Sequence, residues 1–274
     1  MPSSTERTSR GRRGFVIAVV FLLIACGLAL LAPVLPFAPY TKMTTARLMP
    51  PSLNAWFGTD QFGRDIFVRT LWGLQVSLVI AGAAVLTSLA IGVPLGLIAA
   101  YFGRWSDSLI MRGLDALLAF PSLLLAIGVA AIIGPGAVSA TIALGIVGVP
   151  QMARIARGAA LAEQQGLYVD AARVVGVGPF GIMASHLLPN ILAPVVVQAT
   201  LYFAIAILTE AGLSFIGLGV QVPRPSLGAM LSDSRAYTVS APWYALAPGL
   251  TITAVVLALN SAADGLRARL DPQR

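Results

Sequence analysis

Long apolar runs recur along the whole of this chain. A helix that crosses a membrane needs about 20 mostly apolar residues, and six runs of roughly that length are bounded by charged residues, Gly or Pro. Only 11% of the 274 residues are charged and 57% are hydrophobic, whereas about a quarter of the residues in a soluble domain are charged. We therefore predict an all-α, polytopic membrane protein. Its predicted spans are 15–35, 76–100, 110–133, 137–156, 194–218 and 244–263.

The first span has an alternative interpretation as a cleavable signal peptide, because arginines at residues 10–13 precede the apolar run. Leu23-Ile24-Ala25-Cys26 also resembles a bacterial lipoprotein processing site. The run continues past Cys26 to Leu31, however, where a released mature protein would normally become polar. We favour a retained transmembrane helix, and no role is assigned to Cys26.

The third and fourth spans are separated only by Gly134-Pro135-Gly136. These residue types break helices, and without them the apolar run would be too long for a single crossing. A tight hairpin is therefore predicted between the two spans.

Basic residues distinguish the two sides of the membrane, because Lys and Arg are retained on the cytoplasmic side. With the N-terminus inside, the inner segments, which include Arg274, hold 12 of the 18 basic residues and the outer segments hold 6. Both termini are therefore predicted to be cytoplasmic. The chain is predicted to begin with an inner tail, 1–14, a first span, 15–35, and an outer loop, 36–75. A core transmembrane domain, 76–264, follows, with an inner loop at 157–193 and an outer loop at 219–243. An inner C-terminal tail, 265–274, comes after this domain.

The sequence lacks the residues for several kinds of chemistry. Cys26 is the only cysteine and His186 the only histidine, so no intramolecular disulfide and no metal centre is expected. There is no Gly-x-x-x-x-Gly-Lys-Ser/Thr phosphate loop, so any ATP must be bound by another polypeptide. A nucleophile–base pair would have to use His186, and no catalytic residue is assigned. The net charge of +7 comes from dispersed arginines, so nucleic-acid binding is not expected.

The inner loop contains a segment that is apolar enough to pack and too polar to cross the membrane. Residues 167–175 are predicted to form a short helix that ends at Gly176, because Gly adopts the left-handed conformation at a helix C-terminus. Asp170 lies near the start of this helix, where the helix dipole favours negative charge. Ala171 and Ala172 are expected to keep one face of this helix low, that is, free of large side chains, so that the backbone of another protein can approach closely.

Two prolines delimit the rest of this loop. Pro179 is predicted to start a second short helix, and Pro189 to mark the return to the membrane. From physics alone we favour a hairpin of two amphipathic helices lying at the membrane interface. A docking element for another protein is the alternative.

The same residues resemble the cytoplasmic signature of bacterial ABC importer permeases, which is Glu-Ala-Ala, a Gly four residues later, and then Leu-Pro. The corresponding residues are Asp170-Ala171-Ala172, Gly176 and Leu188-Pro189. Asp170 departs from the signature by replacing Glu, and His186 by replacing Ile. A His before Leu-Pro-Asn is similar to the peptide-importer branch of that family.

A second string, Phe57-Gly58-Thr59-Asp60-Gln61-Phe62-Gly63-Arg64-Asp65, is a Gly-rich turn in which Arg64 can pair with Asp60 or Asp65. The string resembles the peptide and nickel importer permeases. Matches to that family run in order over residues 15–272. They include Trp72-Gly73, Ser77-Leu78, Met111-Arg112, Asp115, Ala119-Phe120-Pro121, Glu210 to Gly219, Asp264 to Arg267 and Leu270-Asp271-Pro272.

The resemblance implies a type I ABC importer permease in the bacterial inner membrane, forming half of the path for di- or oligopeptides or related solutes such as nickel chelates. It implies a homologous second permease, two ATPase subunits that bind ATP and Mg²⁺, and an extracytoplasmic solute-binding protein as partners, within the lipid bilayer. The segment from Tyr168 to Gly178 would be the coupling helix that docks on the ATPase, and His186 a packing or polar anchor rather than a metal ligand. The residues carried over are Tyr168, Asp170, Ala171, Ala172, Arg173, Gly176, Gly178, His186, Leu188 and Pro189.

Three polar residues fall within or beside the predicted spans, namely Asp115, Glu210 and Asn260. Ionisable groups are costly in hydrocarbon and usually face protein or water. We favour helix–helix contacts for them, and Glu210 and Asn260 are the candidates for the translocation path. A secondary transporter would show repeated halves with broken helices, and a membrane enzyme would show a polar cluster at one depth. Neither pattern is visible.

Overall fold

A computed structural model describes residues 4–37 and 39–270, and the regular elements of that part are helical. Five helices are long and apolar enough to cross a membrane, or six if one bent pair forms a single span, so the predicted all-α, polytopic class is confirmed. Asp271, Pro272 and Arg274 of the predicted inner tail lie outside the described residues. The α-helices are α1 Ser4–Leu31, α2 Ile66–Phe102, α3 Arg104–Leu118, α4 Ser122–Ile133, α5 Ala137–Glu163, α6 Leu167–Val174, α7 Pro179–Ile182, α8 Leu188–Phe215, α9 Leu227–Ser234 and α10 Pro242–Leu270.

Helix α2 begins at Ile66 rather than at residue 76, so the outer loop predicted at 36–75 is shorter than expected. The carboxylate of Asp65 accepts hydrogen bonds from the backbone N–H groups of Phe67 and Val68, which otherwise have no partner in the first turn of a helix. With 37 residues, α2 is about 55 Å long at 1.5 Å per residue. It is therefore longer than the hydrocarbon core of a bilayer, which is about 30 Å thick.

The predicted third span, 110–133, is not one straight helix. Helices α3 and α4 meet at 89°, because Pro121 lacks a backbone N–H and disfavours the helical conformation at the preceding residue. The start of α3 lies beside the end of α5, where Asp107 accepts two hydrogen bonds from Arg157. Gly136, at the opposite end of α5, donates a hydrogen bond to the carbonyl of Leu218. The bent pair therefore connects the two ends of α5, either as one broken span or as a re-entrant segment.

The packing of α2 against α5 forms the centre of the bundle. A Cβ on Gly92 would lie 2.7 Å from the carbonyl oxygen of Val149, and one on Gly96 would overlap the carbonyl oxygen of Ala153. Small residues allow helix backbones to approach closely within a membrane. These two glycines therefore allow the backbones of α2 and α5 to approach closely.

Several other predicted boundaries shift because helices continue into segments that were expected to be loops. Helix α1 starts within the predicted inner tail and ends at Leu31, before residue 35. At the inner loop predicted at 157–193, α5 continues to Glu163 and a helical run resumes at Pro179, passing through a π-helical turn at Met183–Leu187 into α8. The irregular part is thus confined to residues around α6. The outer connection predicted at 219–243 contains α9, and α10 extends to Leu270.

Candidate functional site

Helix α6 ends as the sequence predicts. Gly176 has a φ of +89°, which is the left-handed region that disfavours residues with a side chain. Its N–H donates to the carbonyl of Arg173, and the N–H of Val177 donates to the carbonyl of Ala172, each at 3.0 Å. These two bonds satisfy carbonyls at the end of the helix in the Schellman arrangement. Asp170 lies in the first turn of α6, also as predicted.

One face of α6 packs on the bundle. Val169 is fully buried and Ala172 is 7% exposed, and both belong to an apolar cluster that includes Leu97 of α2 and Ala156 of α5. The expectation that Ala171 and Ala172 together leave one face of α6 low is therefore wrong for Ala172. Only Ala171 is exposed, because successive residues of a helix point in directions about 100° apart.

The opposite surface of α6 and the residues after it expose large apolar side chains. Leu167 is 87% exposed, Val174 88%, Val175 83% and Phe180 73%. Asp170 and Arg173 lie on the same exposed helix, with 3.1 Å between Oδ1 and Nη1. We call this surface, formed by Leu167, Asp170, Arg173, Val174, Val175 and Phe180, the α6 surface. Exposed apolar side chains beside a charged pair occur both at protein–protein contacts and on amphipathic helices at a membrane interface.

A hydrogen-bonded group of residues lies at the edge of α6. The hydroxyl of Tyr168 donates to Oε2 of Glu163, at 2.6 Å, and accepts from Nδ2 of Asn190, at 3.2 Å. Nδ2 of Asn190 also donates to the carbonyl of His186, at 2.7 Å. Partial burial raises the pKa of Tyr168, and the Glu163 carboxylate raises it further.

The remaining residues carried over from the family lie before, within and after the π-helical turn. Gly178 precedes Pro179, which starts α7 as predicted. His186 lies within the π-helical turn, and its Nδ1 is buried without a hydrogen-bond partner among the described residues. No group of three His, Cys, Asp or Glu side chains that could hold a metal ion occurs in the described part of the chain. Leu188 and Pro189 form the first turn of α8.

The polar residues within the spans have separate environments. Glu210 is fully buried and accepts hydrogen bonds from Ser77 of α2, at 2.5 Å, and from Ser214, at 2.7 Å. Asn260 is exposed on α10. Asp115 and Arg154 form an ion pair between α3 and α5, with 2.7 Å between Oδ1 and Nη2. Asp115 and Glu210 therefore connect helices, which is the interpretation that the sequence favoured.

At the other end of the bundle, Asp60 is the centre of a buried ionic group. Its carboxylate lies 2.6 Å from Nε of Arg64 and 3.5 Å from Nε of Arg69, and Asp60 is fully buried. Arg64 thus pairs with Asp60 and not with Asp65. Burial raises the pKa of Asp233 on α9, and the charge of Arg69 opposes that rise.

Sequence reasoning missed Arg69, Glu163 and Asn190. Arg69 was assigned to a loop, although it lies in the first turns of α2. Glu163 and Asn190 were overlooked because they flank the docking segment in sequence and meet Tyr168 only in the fold. The spacing of Glu163 and Tyr168 and the position of Asn190 directly after Pro189 were visible, but the contact depends on how α5 and α8 converge.

Comparison with known proteins agrees with this architecture. The chain is 48% identical over 261 residues to the dipeptide transport system permease protein DppC of Alkalihalophilus pseudofirmus, covering 95% of this chain and 84% of that protein. It is 46% identical over 223 residues to the glutathione transport system permease protein GsiD of Escherichia coli, covering 81% of this chain and 74% of that protein. A solved structure of the MetNI methionine ABC transporter in an inward-facing conformation shares the fold, with a TM-score of 0.62 and 19% identity over 75% of this chain and 98% of the matched chain.

The family assignment depends on the larger part of the sequence. Residues 92–274 match the model of one family, and this region includes the α6 segment, the bent helix pair and the helices that pack around them. The two relatives named above match 95% and 81% of this chain. The chain belongs to the family of binding-protein-dependent transport system inner membrane components, the permease subunits of ABC importers.

Proposed function

We propose that this chain forms half of the transmembrane path of an ATP-driven importer for dipeptides, oligopeptides or related small solutes. The observation that carries the proposal is the α6 surface, which combines four exposed apolar side chains with a helix end that requires Gly176. Such a surface on one subunit is unfavourable in water unless a partner covers it. Among the solutes considered, peptides are favoured over nickel chelates because the named relatives are dipeptide and glutathione permeases.

The proposed partner at the α6 surface is an ATPase subunit, which would bind ATP and Mg²⁺ in place of this chain. Two such subunits, a homologous second permease and an extracytoplasmic solute-binding protein complete the assembly. In this proposal the α6 end of the bundle faces the cytoplasm, and both termini lie on the same side. The distribution of basic residues favours this orientation. The proposed coupling residues are Tyr168, Asp170, Ala171, Arg173, Gly176, Gly178, His186, Leu188 and Pro189, with Ala172 as a packing residue beneath them.

The proposed mechanism is alternating access. Closure of the ATPase subunits displaces α6, and the displacement passes to α7, the π-helical turn and α8, which form one helical run. Asn260 is the better candidate for the path, since its side chain is exposed. Both carboxylate oxygens of Glu210 are occupied by serine hydroxyls, which supports a role in holding α2 and α8 together.

Co-expression and reconstitution test the proposal. The chain should co-purify with a second permease and two ATPase subunits, and proteoliposomes containing this complex and the binding protein should accumulate labelled dipeptide only when ATP is present. Uptake by the chain alone, driven by an ion gradient without ATP, would instead identify a secondary transporter. Failure of the chain to associate with any ATPase subunit would remove the basis of the proposal.

A further inference from the structure

The hydroxyl of Tyr168 connects three helices at the α6 end of the bundle. Glu163 belongs to the last turn of α5, Tyr168 to the first turn of α6, and Asn190 to the first turn of α8. We propose that Tyr168 is a positioning residue whose hydroxyl makes α6 move together with the ends of α5 and α8. This inference rests on the proposed function, in which ATP drives the displacement of α6.

The hydroxyl both donates and accepts a hydrogen bond. It donates to the carboxylate of Glu163 and accepts from the amide of Asn190, and a bond to a charged acceptor is stronger than one between neutral groups. The aromatic ring lies against Gly166, where a Cβ would be 2.5 Å from the Tyr168 ring. The ring therefore has room only because residue 166 has no side chain, and the hydroxyl is held between its two partners.

The other contacts of α6 with the bundle differ in kind. Val169 and Ala172 anchor the helix through apolar packing, which holds α6 against the bundle without fixing a hydrogen-bond geometry. Hydrogen bonds depend strongly on distance and angle. Loss of the Tyr168 hydroxyl should therefore leave α6 folded and attached, while a displacement of α6 is no longer transmitted fully to α5 and α8.

Asn190 extends the connection into the π-helical turn. Its Nδ2 donates to the carbonyl of His186 as well as to Tyr168. The turn at Met183–Leu187 is the irregular part of the run from α7 to α8, and π-helical turns interrupt the regular backbone hydrogen bonding of a helix. Asn190 thus holds the start of α8 to the π-helical turn before it and to α6.

The test compares Tyr168→Phe with Tyr101→Phe in the reconstituted complex of permeases, ATPase subunits and binding protein. Tyr168→Phe keeps the ring over Gly166 and removes only the hydroxyl. The matched control also removes one hydroxyl, which makes no hydrogen bond among the described residues, and keeps the ring that lies 5.7 Å from the guanidinium carbon of Arg173. Dipeptide uptake per ATP hydrolysed should fall about fivefold or more in Tyr168→Phe, from the loss of two hydrogen bonds, and should be unchanged in the control.

Asn190→Ala provides a second variant, because it leaves the bond between Tyr168 and Glu163 intact. It should lower the same ratio, and the losses in the double variant should be clearly less than additive, since both changes break the bond between Tyr168 and Asn190 while Asn190→Ala also removes the bond to His186. An unchanged ratio in Tyr168→Phe, or additive losses in the double variant, would overturn the inference. Loss of ATPase subunits from Tyr168→Phe would also overturn it, because the hydroxyl would then belong to the docking contact. Absence of ATP-dependent uptake in the unmodified complex would refute the proposed function itself.

Discussion

Replacement of Gly176 by Leu should stop transport while the protein remains in the membrane. Gly176 has a φ of +89°, and a residue with a side chain costs about 1–2 kcal/mol in the left-handed region. The two hydrogen bonds that close α6, from Gly176 and Val177, are together worth about 1–3 kcal/mol. The strain is thus comparable to the whole stabilisation of the cap, so α6 loses its defined end.

The effect of Gly176→Leu is conformational within this chain rather than steric. A Cβ at Gly176 meets no atom within 4 Å, so the leucine side chain projects from the α6 surface toward the proposed ATPase subunit. Membrane insertion should persist, because it depends on the apolar spans and their internal backbone hydrogen bonds. We expect dipeptide uptake to fall about tenfold or more, as a shift of 1.4 kcal/mol changes an equilibrium tenfold.

The assay is ATP-driven dipeptide uptake by the reconstituted complex, with the amount of each subunit measured in the same vesicles. Gly217→Leu is the matched control. Gly217 follows α8 with a φ of +87°, makes the same pair of capping bonds together with Leu218, and has open space around its Cβ. It should carry a similar strain without loss of coupling. Full uptake by Gly176→Leu, or equal loss in both variants, would refute the docking role of the α6 surface.

Three further predictions concern the docking charge, the orientation and the helix packing. Asp170→Ala should reduce uptake only about two- to threefold, because an exposed helix-dipole contact is worth about 0.3–1 kcal/mol. In a chain whose natural cysteine has been replaced, a cysteine at Ser52 should react with an impermeant thiol reagent added outside intact cells, whereas one at Gln165 should react only after permeabilisation; the reverse pattern would contradict the proposed orientation. Gly96→Ala should prevent stable accumulation in the membrane, because its Cβ would overlap the α5 backbone, whereas Gly113→Ala, which has open space, should accumulate normally; quantitative immunoblotting distinguishes them.

The features that the sequence predicts well are those set by local residues. Apolar length is a property of a short window, so the spans were found without knowledge of their neighbours. The end of α6 at Gly176 was found for the same reason, because the left-handed cap depends on one residue type. The bend between α3 and α4 was missed although Pro121 was visible, because a count of apolar residues over 110–133 does not register a change of direction.

The features that the sequence did not predict depend on contacts between distant segments. Arg69 lies in the first turns of α2, and from the sequence alone its charge suggests a polar loop. In the structure its charge is compensated by Asp60, with 3.5 Å between Nε and the carboxylate. A buried arginine is tolerated when a carboxylate compensates its charge. Similarly, Ala171 and Ala172 are equivalent in composition, and only the position of the bundle decides that Ala172 is the buried one.

The two ends of the bundle differ in how firmly their segments are attached, and this difference bears on where motion can enter. At the end that we propose to be outer, Asp60 holds Arg64 and Arg69 in a buried group, and removal of one partner from such a group costs about 3–5 kcal/mol. At the α6 end, the polar contacts of Tyr168 are exposed and are worth about 1 kcal/mol each. The polar contacts that hold α6 are thus weaker and more exposed than those that hold the outer segment on α2. An ATPase that acts on the α6 surface would thus work on the more compliant end of the permease, with the opposite end serving as the fixed support against which the helices reorient.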